Sequence, residues 1–256
     1  MLTDKLILVT GASSGIGRAC ARAFAREGCR LILAARRRDR LEEAAAELDA
    51  ETHLLELDVR DRAAVDAAIA GLPAPWREID VLLNNAGLSR GLEPVHEGLP
   101  SDWEEMIDTN VKGLLWLTRA VLPGMVARDR GHVINIGSIS GHQVYRGGAV
   151  YCATKHAVAA INQGLRLDLL GTRVRVSGVD PGMVETDFSL VRFHGDRSKA
   201  EPVYRAYPPL QPGDVAECVL FCVTRPPHVA VMDLIVMPQD QAAVYGSHAR
   251  GVGRSG

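Results

Sequence analysis

The sequence lacks a long hydrophobic run. The apolar stretch within its opening residues, MLTDKLILVT, is far shorter than a signal peptide or a membrane-spanning helix requires. It also lacks an excess of either charge, since the formal net charge of the 256-residue chain is -2. Net charge therefore gives no reason to expect a nucleic acid or an anionic membrane as a partner. We expect a cytoplasmic protein that binds neither.

Patterned cysteines are absent as well. The five cysteines are odd in number and scattered, at Cys20, Cys29, Cys152, Cys218 and Cys222. Only the last two have a helical spacing, and no second pair completes a metal site. The histidines at 132, 142, 156 and 194 have no metal-ligand spacing either. We predict reduced, mostly buried thiols and no bound metal, with His142 and His194 as histidines that could line a pocket.

Short apolar runs rich in β-formers alternate with helical patterns, and no repeat, low-complexity segment or linker interrupts them. Six runs are predicted strands buried on both faces, at 5–9, 30–34, 52–57, 79–83, 132–137 and 174–179. Helical patterns lie at 15–28, 40–50, 62–72, 101–128 and 149–170, with Ser101 as N-cap of the fourth. The alternation predicts one doubly wound α/β domain over 1–256, a parallel sheet of about seven strands with helices on both faces.

The regular pattern breaks between residues 181 and 213, where five prolines interrupt the sequence. An irregular stretch of this length inside a compact domain is typical of a functional lid or binding loop. We therefore predict a substrate loop at about 183–210. The last ten residues, SHARGVGRSG, have the composition of a frayed tail.

A glycine-rich turn follows the first predicted strand. The segment TGASSGIG (10–17) places Gly11, Gly15 and Gly17 between this strand and the next helix. Glycines there allow a tight turn, and the backbone N–H groups and helix dipole can hold a pyrophosphate. The spacing differs from the usual G-x-G-x-x-G, but its place in a βαβ pattern predicts a dinucleotide site.

The end of the second predicted strand indicates which dinucleotide. A cofactor with a free ribose 2′-hydroxyl usually meets an Asp or Glu about 20 residues after the loop. Ala35 occupies that place, and Arg36 and Arg37 follow it. Guanidinium groups grip a 2′-phosphate, so NADP fits better than NAD. For Arg38 and Arg40, the alternative interpretation is that they lie at the solvated start of a helix and do not bind the cofactor.

Tyr151 and Lys155 lie four residues apart in GGAVYCATKHAV, one turn apart on a helix face. Such a pair is common by chance, but other motifs accompany it: NNAG (84–87), Asn110, Ser138, DPG (180–182) and Thr186. Together with TGASSGIG they resemble the classical short-chain dehydrogenase/reductase family over nearly the whole chain. The resemblance implies an enzyme that acts on CH–OH groups, and a homotetramer.

The resemblance also implies residue roles. The catalytic tetrad would be Asn110, Ser138, Tyr151 and Lys155, in which Tyr151 moves the proton and Asn110 holds a relay water. The cofactor would contact the glycine turn, with Ser13, Ser14 and Ile16, together with Asp58, Val59, Asn84, Ala86, Gly87, Tyr151, Lys155, Pro181, Gly182, Val184 and Thr186.

A closer resemblance points to the substrate. MIDTNVKGLLWLTRAVLPGMV, HVINIGS and VRFHGD look like segments of the NADP-dependent 3-hydroxy acid dehydrogenases. These enzymes oxidise serine, allo-threonine or 3-hydroxypropionate-type substrates and reduce malonic semialdehyde. Two alternatives stay open: a general NADPH-dependent carbonyl reductase or alcohol dehydrogenase, and a nicotinamide-binding regulatory protein without turnover.

A small acid substrate needs a cationic partner for its carboxylate. Arg192 lies in the predicted substrate loop, and Arg146 and Arg90 are rival candidates beside Ser138, which would bind the reacting oxygen. Each arginine is equally consistent with a solvated loop position. The helices predicted at 101–128 and 149–170 carry surplus apolar residues, including Leu114–Leu117, which favours a helix–helix interface between subunits.

Overall fold

Seven parallel strands form one sheet in the order β3-β2-β1-β4-β5-β6-β7. A computed structural model of the chain describes residues 2–205 and 207–244. The strands are β1 Leu6–Thr10, β2 Arg30–Ala35, β3 Thr52–Glu56, β4 Val81–Asn84, β5 Gly131–Ile136, β6 Val174–Pro181 and β7 Asp233–Val236. The predicted doubly wound parallel sheet is confirmed.

Helices cover both faces of the sheet. They are α1 Gly15–Arg26, α2 Arg38–Ala46, α3 Arg62–Ala70, α4 Pro100–Ile107, α5 Leu114–Ala127, α6 Ala149–Asp168, α7 Phe188–Arg192, α8 Arg197–Ala200 and α9 Pro212–Thr224. Side chains of β1 alternate between the faces: Ile7 and Val9 pack with α1 and α9, and Leu6 and Leu8 pack with α3 and α5. Burial on both sides explains why this strand is continuously apolar.

Both edge strands of the sheet are less buried than the central strands. β3 is only half-buried, and β7 alternates between exposed and partly buried residues. The expectation that 52–57 is buried on both faces is therefore wrong, because β3 has a neighbour on one side only. β7 is short and starts with an aspartate, so no apolar run marks it in the sequence.

The helix predicted at 101–128 is interrupted. A π-helical turn, Asp108–Gly113, separates α4 from α5, and α4 starts one residue early because Pro100 fits the first helical position. Leu99, and not Ser101, is the N-cap. Leu114 and Leu117 face the core, so the apolar surplus on this segment is smaller than the sequence suggests.

The predicted substrate loop contains regular structure. Within it lie α7, α8 and a 3₁₀ turn at Glu201–Tyr204. Its two ends pair, since Glu185 N–H donates to the Leu210 carbonyl at 2.8 Å and Leu210 N–H to the Met183 carbonyl at 2.9 Å. We call residues 185–209 the cap. The predicted tail at 247–256 lies outside the described residues.

The five cysteines are unpaired, and all but Cys218 are buried. Across the described ranges, no helix is both long and apolar enough to cross a bilayer. Within the same ranges, histidine, cysteine and acidic side chains form no cluster of three or more that could hold a metal.

A chain of hydrogen bonds between buried asparagine side chains runs across the sheet from β4 to α6. Asn84 Nδ2 donates to Asn135 Oδ1 at 2.8 Å and to Thr118 Oγ1 at 3.0 Å, and Asn135 Nδ2 donates to Asn162 Oδ1. All three asparagines are at most 5% exposed. The chain thereby links β4, β5 and α6.

We expect Asn135→Ala to lower the free energy of unfolding by about 1–3 kcal/mol, because it leaves buried amide groups without partners. Urea midpoints at a fixed protein concentration measure this. Gln163→Ala, on the exposed side of α6, is the matched control and should change stability by less than about 0.5 kcal/mol. Equal midpoints for the two variants would contradict a stabilising role for the amide chain.

Candidate active site

A cavity of about 570 Å³ opens at the carboxyl ends of the strands. It lies where β1 and β4 are neighbours and their following helices cover opposite faces, which is where doubly wound sheets bind ligands. The predicted cofactor residues line it except Gly15, Gly17 and Asn84. Of the predicted catalytic and substrate residues, Asn110 and Arg90 do not line it.

The glycine turn is shaped to hold a phosphate. Gly11 and Gly15 have φ of +63° and +52°, which favours glycine. A Cβ at Gly17 would overlap the Gly11 carbonyl, so Gly15 and Gly17 shape the turn without lining the cavity. The first turn of α1 carries no acidic side chain, and Ser14 makes no side-chain cap. These residues fit a bound pyrophosphate.

Asn85, which the sequence argument missed, fixes the floor of the cavity. Its Nδ2 donates to the Thr10 carbonyl at 2.8 Å, and its N–H donates to Thr10 Oγ1 at 2.9 Å. Asn84 was predicted to contact the cofactor, but its amide is occupied within the sheet by Asn135 and Thr118. The NNAG motif marks the right loop, and the asparagine that lines the cavity is the second one.

Arginines mark the far end of the cavity. Arg36 and Arg37 line it, and the Arg36 side chain is 53% exposed. Arg60 binds Asp58 through Nη2 at 2.6 Å from Oδ2. Burial alone would raise the pKa of Asp58, but the Arg60 hydrogen bonds outweigh it and hold the pKa below its usual range. Asp58 is therefore a charged carboxylate paired with Arg60, and Ala35 leaves no acidic side chain at the end of β2. Arg36 and Arg37 thus fit a 2′-phosphate.

The structure brings Ser138, Tyr151 and Lys155 together. Tyr151 and Lys155 lie on α6, and Lys155 Nζ is 5.9 Å from the Tyr151 ring centre and donates to the Ile136 carbonyl at 3.0 Å. Ser138 lies two residues after the end of β5 and hydrogen-bonds the Tyr151 hydroxyl. Ser138 Oγ also accepts from Ser140 N–H at 3.1 Å. All three side chains are less than a tenth exposed.

Burial governs the protonation of this group. It lowers the pKa of Lys155 to about 8, against the opposing charge of Asp180. It also raises the pKa of Tyr151, although Arg192 and the Ser138 hydrogen bond act in the opposite direction. Deprotonation of Tyr151 at neutral pH is therefore not a property of the protein alone. It requires further positive charge, such as a bound oxidised nicotinamide provides.

Asn110 lies in the π-helical turn and clamps the neighbouring loop. Its Oδ1 accepts from Leu88 N–H, and its Nδ2 donates to the Leu88 carbonyl, both at 2.8 Å. Nδ2 also donates to Thr154 Oγ1 at 3.1 Å. A Cβ at Gly87 would lie 3.2 Å from Asn110 Oδ1 and 3.7 Å from Lys155 Nζ, which puts Asn110 near the lysine. Its water-holding role stays a prediction.

Arg192 faces Tyr151 from the cap. Its guanidinium carbon lies 5.6 Å from the Tyr151 ring centre and 5.1 Å from that of Phe188, and its Nη2 donates to Tyr145 Oη at 3.0 Å. Its buried Nε has no hydrogen-bond partner among the described groups. Tyr145 and Phe188 were missed because no motif marks them. This wall can accept an anion.

Of the other residues predicted to bind substrate or line the pocket, only Arg146 lines the cavity. Arg90 is held outside it by Glu105 and the Val191 carbonyl. His142 and His194 also lie outside the lining: His142 Nε2 is 2.7 Å from Asp180 Oδ2, and His194 Nε2 is 3.1 Å from Asp102 Oδ2.

A glycine turn at the switch point of a doubly wound sheet, with a buried tyrosine, lysine and serine across the cavity, defines a dinucleotide-dependent oxidoreductase. The family model for short chain dehydrogenases matches residues 5–195, and the chain belongs to that family.

Relatives agree over almost the full length. The NADP-dependent 3-hydroxy acid dehydrogenase YdfG of Escherichia coli K12 is 50% identical over 238 residues, 93% of this chain and 96% of the relative. Sulfoacetaldehyde reductase 2 of Chromohalobacter salexigens is 47% identical and covers 93% and 95%. The solved closed form of serine dehydrogenase with NADP+ superposes with a TM-score of 0.91 at 50% identity, covering 93% of this chain and 96% of that one.

We expect Tyr151→Phe to abolish nearly all turnover while NADP+ binding persists, because only the acidic proton is removed. General acid–base help is typically worth about 10²–10⁴-fold in rate. Steady-state kinetics and calorimetric titration with NADP+ measure the two effects. A variant that kept more than about a tenth of the wild-type rate would show that another group moves the proton.

Proposed function

We propose that the protein catalyses reversible, NADP-dependent oxidation of a small 3-hydroxy acid. The observation that carries the proposal is the Arg192 guanidinium, whose Nε is buried and unpartnered beside Tyr151. A carboxylate bound there would place a nearby hydroxyl within reach of Tyr151 and Ser138. Two relatives are named for 3-hydroxy acids and serine, and a third for sulfoacetaldehyde, whose sulfonate is also an anion.

The proton chemistry follows from the side chains at the cavity. NADP(H), when bound in the cavity, would supply or accept the hydride. Ser138 Oγ accepts from Ser140 N–H and hydrogen-bonds Tyr151, so a bound substrate oxygen would take over the Ser138 proton as negative charge develops. Tyr151 donates a proton to that oxygen in reduction and removes it in oxidation. Lys155, held by the Ile136 carbonyl, lies behind the ring and favours the phenolate when charged.

The choice of NADP is supported by charge at the adenosine end. Arg36 is half-exposed at the cavity, and no acidic residue ends β2. Of the relatives described above, the Escherichia coli enzyme is named NADP-dependent, and the serine dehydrogenase was solved with NADP+. Guanidinium groups bind a phosphate with charge-assisted hydrogen bonds that a 2′-hydroxyl cannot match.

A general carbonyl reductase is the second candidate. Leu88, Leu92, Phe188 and Val191 give the cavity apolar walls that a neutral ketone would also fit. An alcohol dehydrogenase from Thermococcus sibiricus is 30% identical with a TM-score of 0.79. A non-catalytic nicotinamide-binding protein is disfavoured because Ser138, Tyr151 and Lys155 are all present and assembled.

Arg192→Leu should lower kcat/KM for 3-hydroxy acids by roughly 30-fold or more, because truncating a buried charged partner costs about 2–5 kcal/mol. Turnover of a neutral ketone of similar size should hardly change. Arg197→Leu, an exposed arginine of the same cap, is the matched control. Equal losses for both substrates would assign Arg192 to holding the cap. If neither rate falls, Arg146 becomes the candidate, or the carbonyl reductase takes precedence.

We further propose a cytoplasmic homotetramer. Unpaired cysteines are usual in a reducing compartment. Large apolar side chains are exposed on α5, α9 and β7, and at and just after the end of α6, namely Leu115, Phe221, Ile235, Leu167 and Leu170. Apolar side chains exposed at several elements favour subunit contacts.

Light scattering at micromolar concentration should give the mass of four 27.6 kDa chains. Leu170→Asp should shift the mass toward smaller species, because Leu170 is 76% exposed and a charge there would be buried in an interface. Val95→Asp, at another exposed apolar site, should leave the mass unchanged. A monomer mass for the wild-type protein would rule out the tetramer.

A further inference from the structure

Glu105 is a carboxylate on which arginines from three other segments converge. It lies on α4 with its side chain 19% exposed. Arg90 Nε is 2.7 Å from Oε2, and Arg60 Nη1 and Arg36 Nη1 are 3.4 Å and 3.8 Å from Oε1. The Arg90 hydrogen bond holds the pKa of Glu105 below its usual range, so the carboxylate is charged at neutral pH.

The three arginines are not held equally. Arg60 also binds Asp58 at 2.6 Å, and the Arg90 side chain is only 16% exposed. Arg36 makes the longest of the three contacts, is half-exposed and lines the cavity. Arg36 is therefore the partner that another anion most readily takes from Glu105.

The opposite end of this network is the cap. Arg90 Nη1 donates to the Val191 carbonyl, and the neighbouring Gly91 N–H donates to the Arg192 carbonyl at 2.9 Å. Both carbonyls belong to the last turn of α7, and the side chains of Val191 and Arg192 line the cavity. The position of Arg90 thus helps to set the position of α7.

We propose that Glu105 is a positioning residue that couples the 2′-phosphate site at Arg36 to the cap helix α7. This inference rests on the proposed role of Arg36. A phosphate at Arg36 replaces Glu105 as its anionic partner and repels the Glu105 carboxylate. Both effects shift Glu105 toward Arg90, which then holds the Val191 carbonyl more firmly. A cofactor without the phosphate leaves Glu105 shared, so it orders α7 less.

The coupling is reciprocal, because binding at one site changes affinity at the other by the same factor. An anionic substrate held by Arg192 should therefore bind more tightly beside NADP+ than beside NAD+. Through Glu105, the order of the cap helix α7 would depend on whether the bound cofactor carries a 2′-phosphate.

Hydrogen exchange of the 188–195 peptide tests the coupling in the full enzyme without turnover. Its amides include Val191, Phe193 and Gly195, which donate to the carbonyls of Asp187, Ser189 and Leu190. At saturation, NADP+ should slow exchange about fivefold or more beyond NAD+, the lower range of typical coupling. Glu105→Gln should abolish the extra protection, since a neutral amide is not repelled by phosphate. Glu104→Gln, exposed on the same helix, should retain it.

Equal protection by the two cofactors in the wild-type enzyme would overturn the proposal, as would extra protection that survives Glu105→Gln. If that variant does not fold, Arg90→Gln carries the same test, because it removes the other half of the ion pair. Retained extra protection in Arg90→Gln would be equally decisive against the coupling.

Calorimetry on Arg36→Ala separates this inference from the function on which it rests. Equal losses of affinity for NADP+ and NAD+ would refute the role of Arg36 itself. A selective loss for NADP+, together with cofactor-independent exchange of the 188–195 peptide in the wild-type enzyme, would overturn the coupling alone.

Discussion

The hydroxyl of Thr10 holds together the two loops on which the cavity depends. It accepts hydrogen bonds from the N–H groups of Asn85 and Ala86, and the Asn85 side chain donates to the Thr10 carbonyl. The chains leaving β1 and β4 diverge to opposite faces of the sheet, so a gap opens between them. These hydrogen bonds fix the width of that gap. The glycine turn on one side and the Ala86–Gly87 floor on the other keep their relative positions because of them.

Burial is the main cause of the pKa shifts of Tyr151 and Lys155. The same burial that makes Lys155 easier to deprotonate makes Tyr151 harder to deprotonate. Without further positive charge Tyr151 is thus a poor base, and in the proposed reaction an oxidised nicotinamide would supply that charge. In the proposed reaction, proton transfer would then depend on cofactor occupancy, since the phenolate would be favoured most with the hydride acceptor in place. Arg192 adds a third cation on the cap side of the same ring.

The sequence was sufficient for six of the seven strands and for the glycine turn, because both depend on local patterns. The family resemblance predicted the grouping of Ser138, Tyr151 and Lys155. The sequence was insufficient where long-range packing decides. Asn84 is occupied by side chains from α5 and β5, and Asn85 takes its expected place at the cavity. Arg90 turns away from the cavity because Glu105 lies 15 residues further on, one of many acidic residues with no pattern to single it out. The π-helical turn at Asn110 likewise has no sequence signature.

The buried cysteines have a consequence for the chemistry of the folded protein. Burial raises the pKa of Cys29 to about 12 and that of Cys222 to about 11, and it also raises the pKa of Cys20 and Cys152. The thiolate is the form that reacts with peroxides and alkylating reagents, so these side chains are nearly inert while the chain is folded. Thiol modification then proceeds only through opened conformations. The rate at which a maleimide labels these four buried cysteines is therefore expected to report local unfolding of the core.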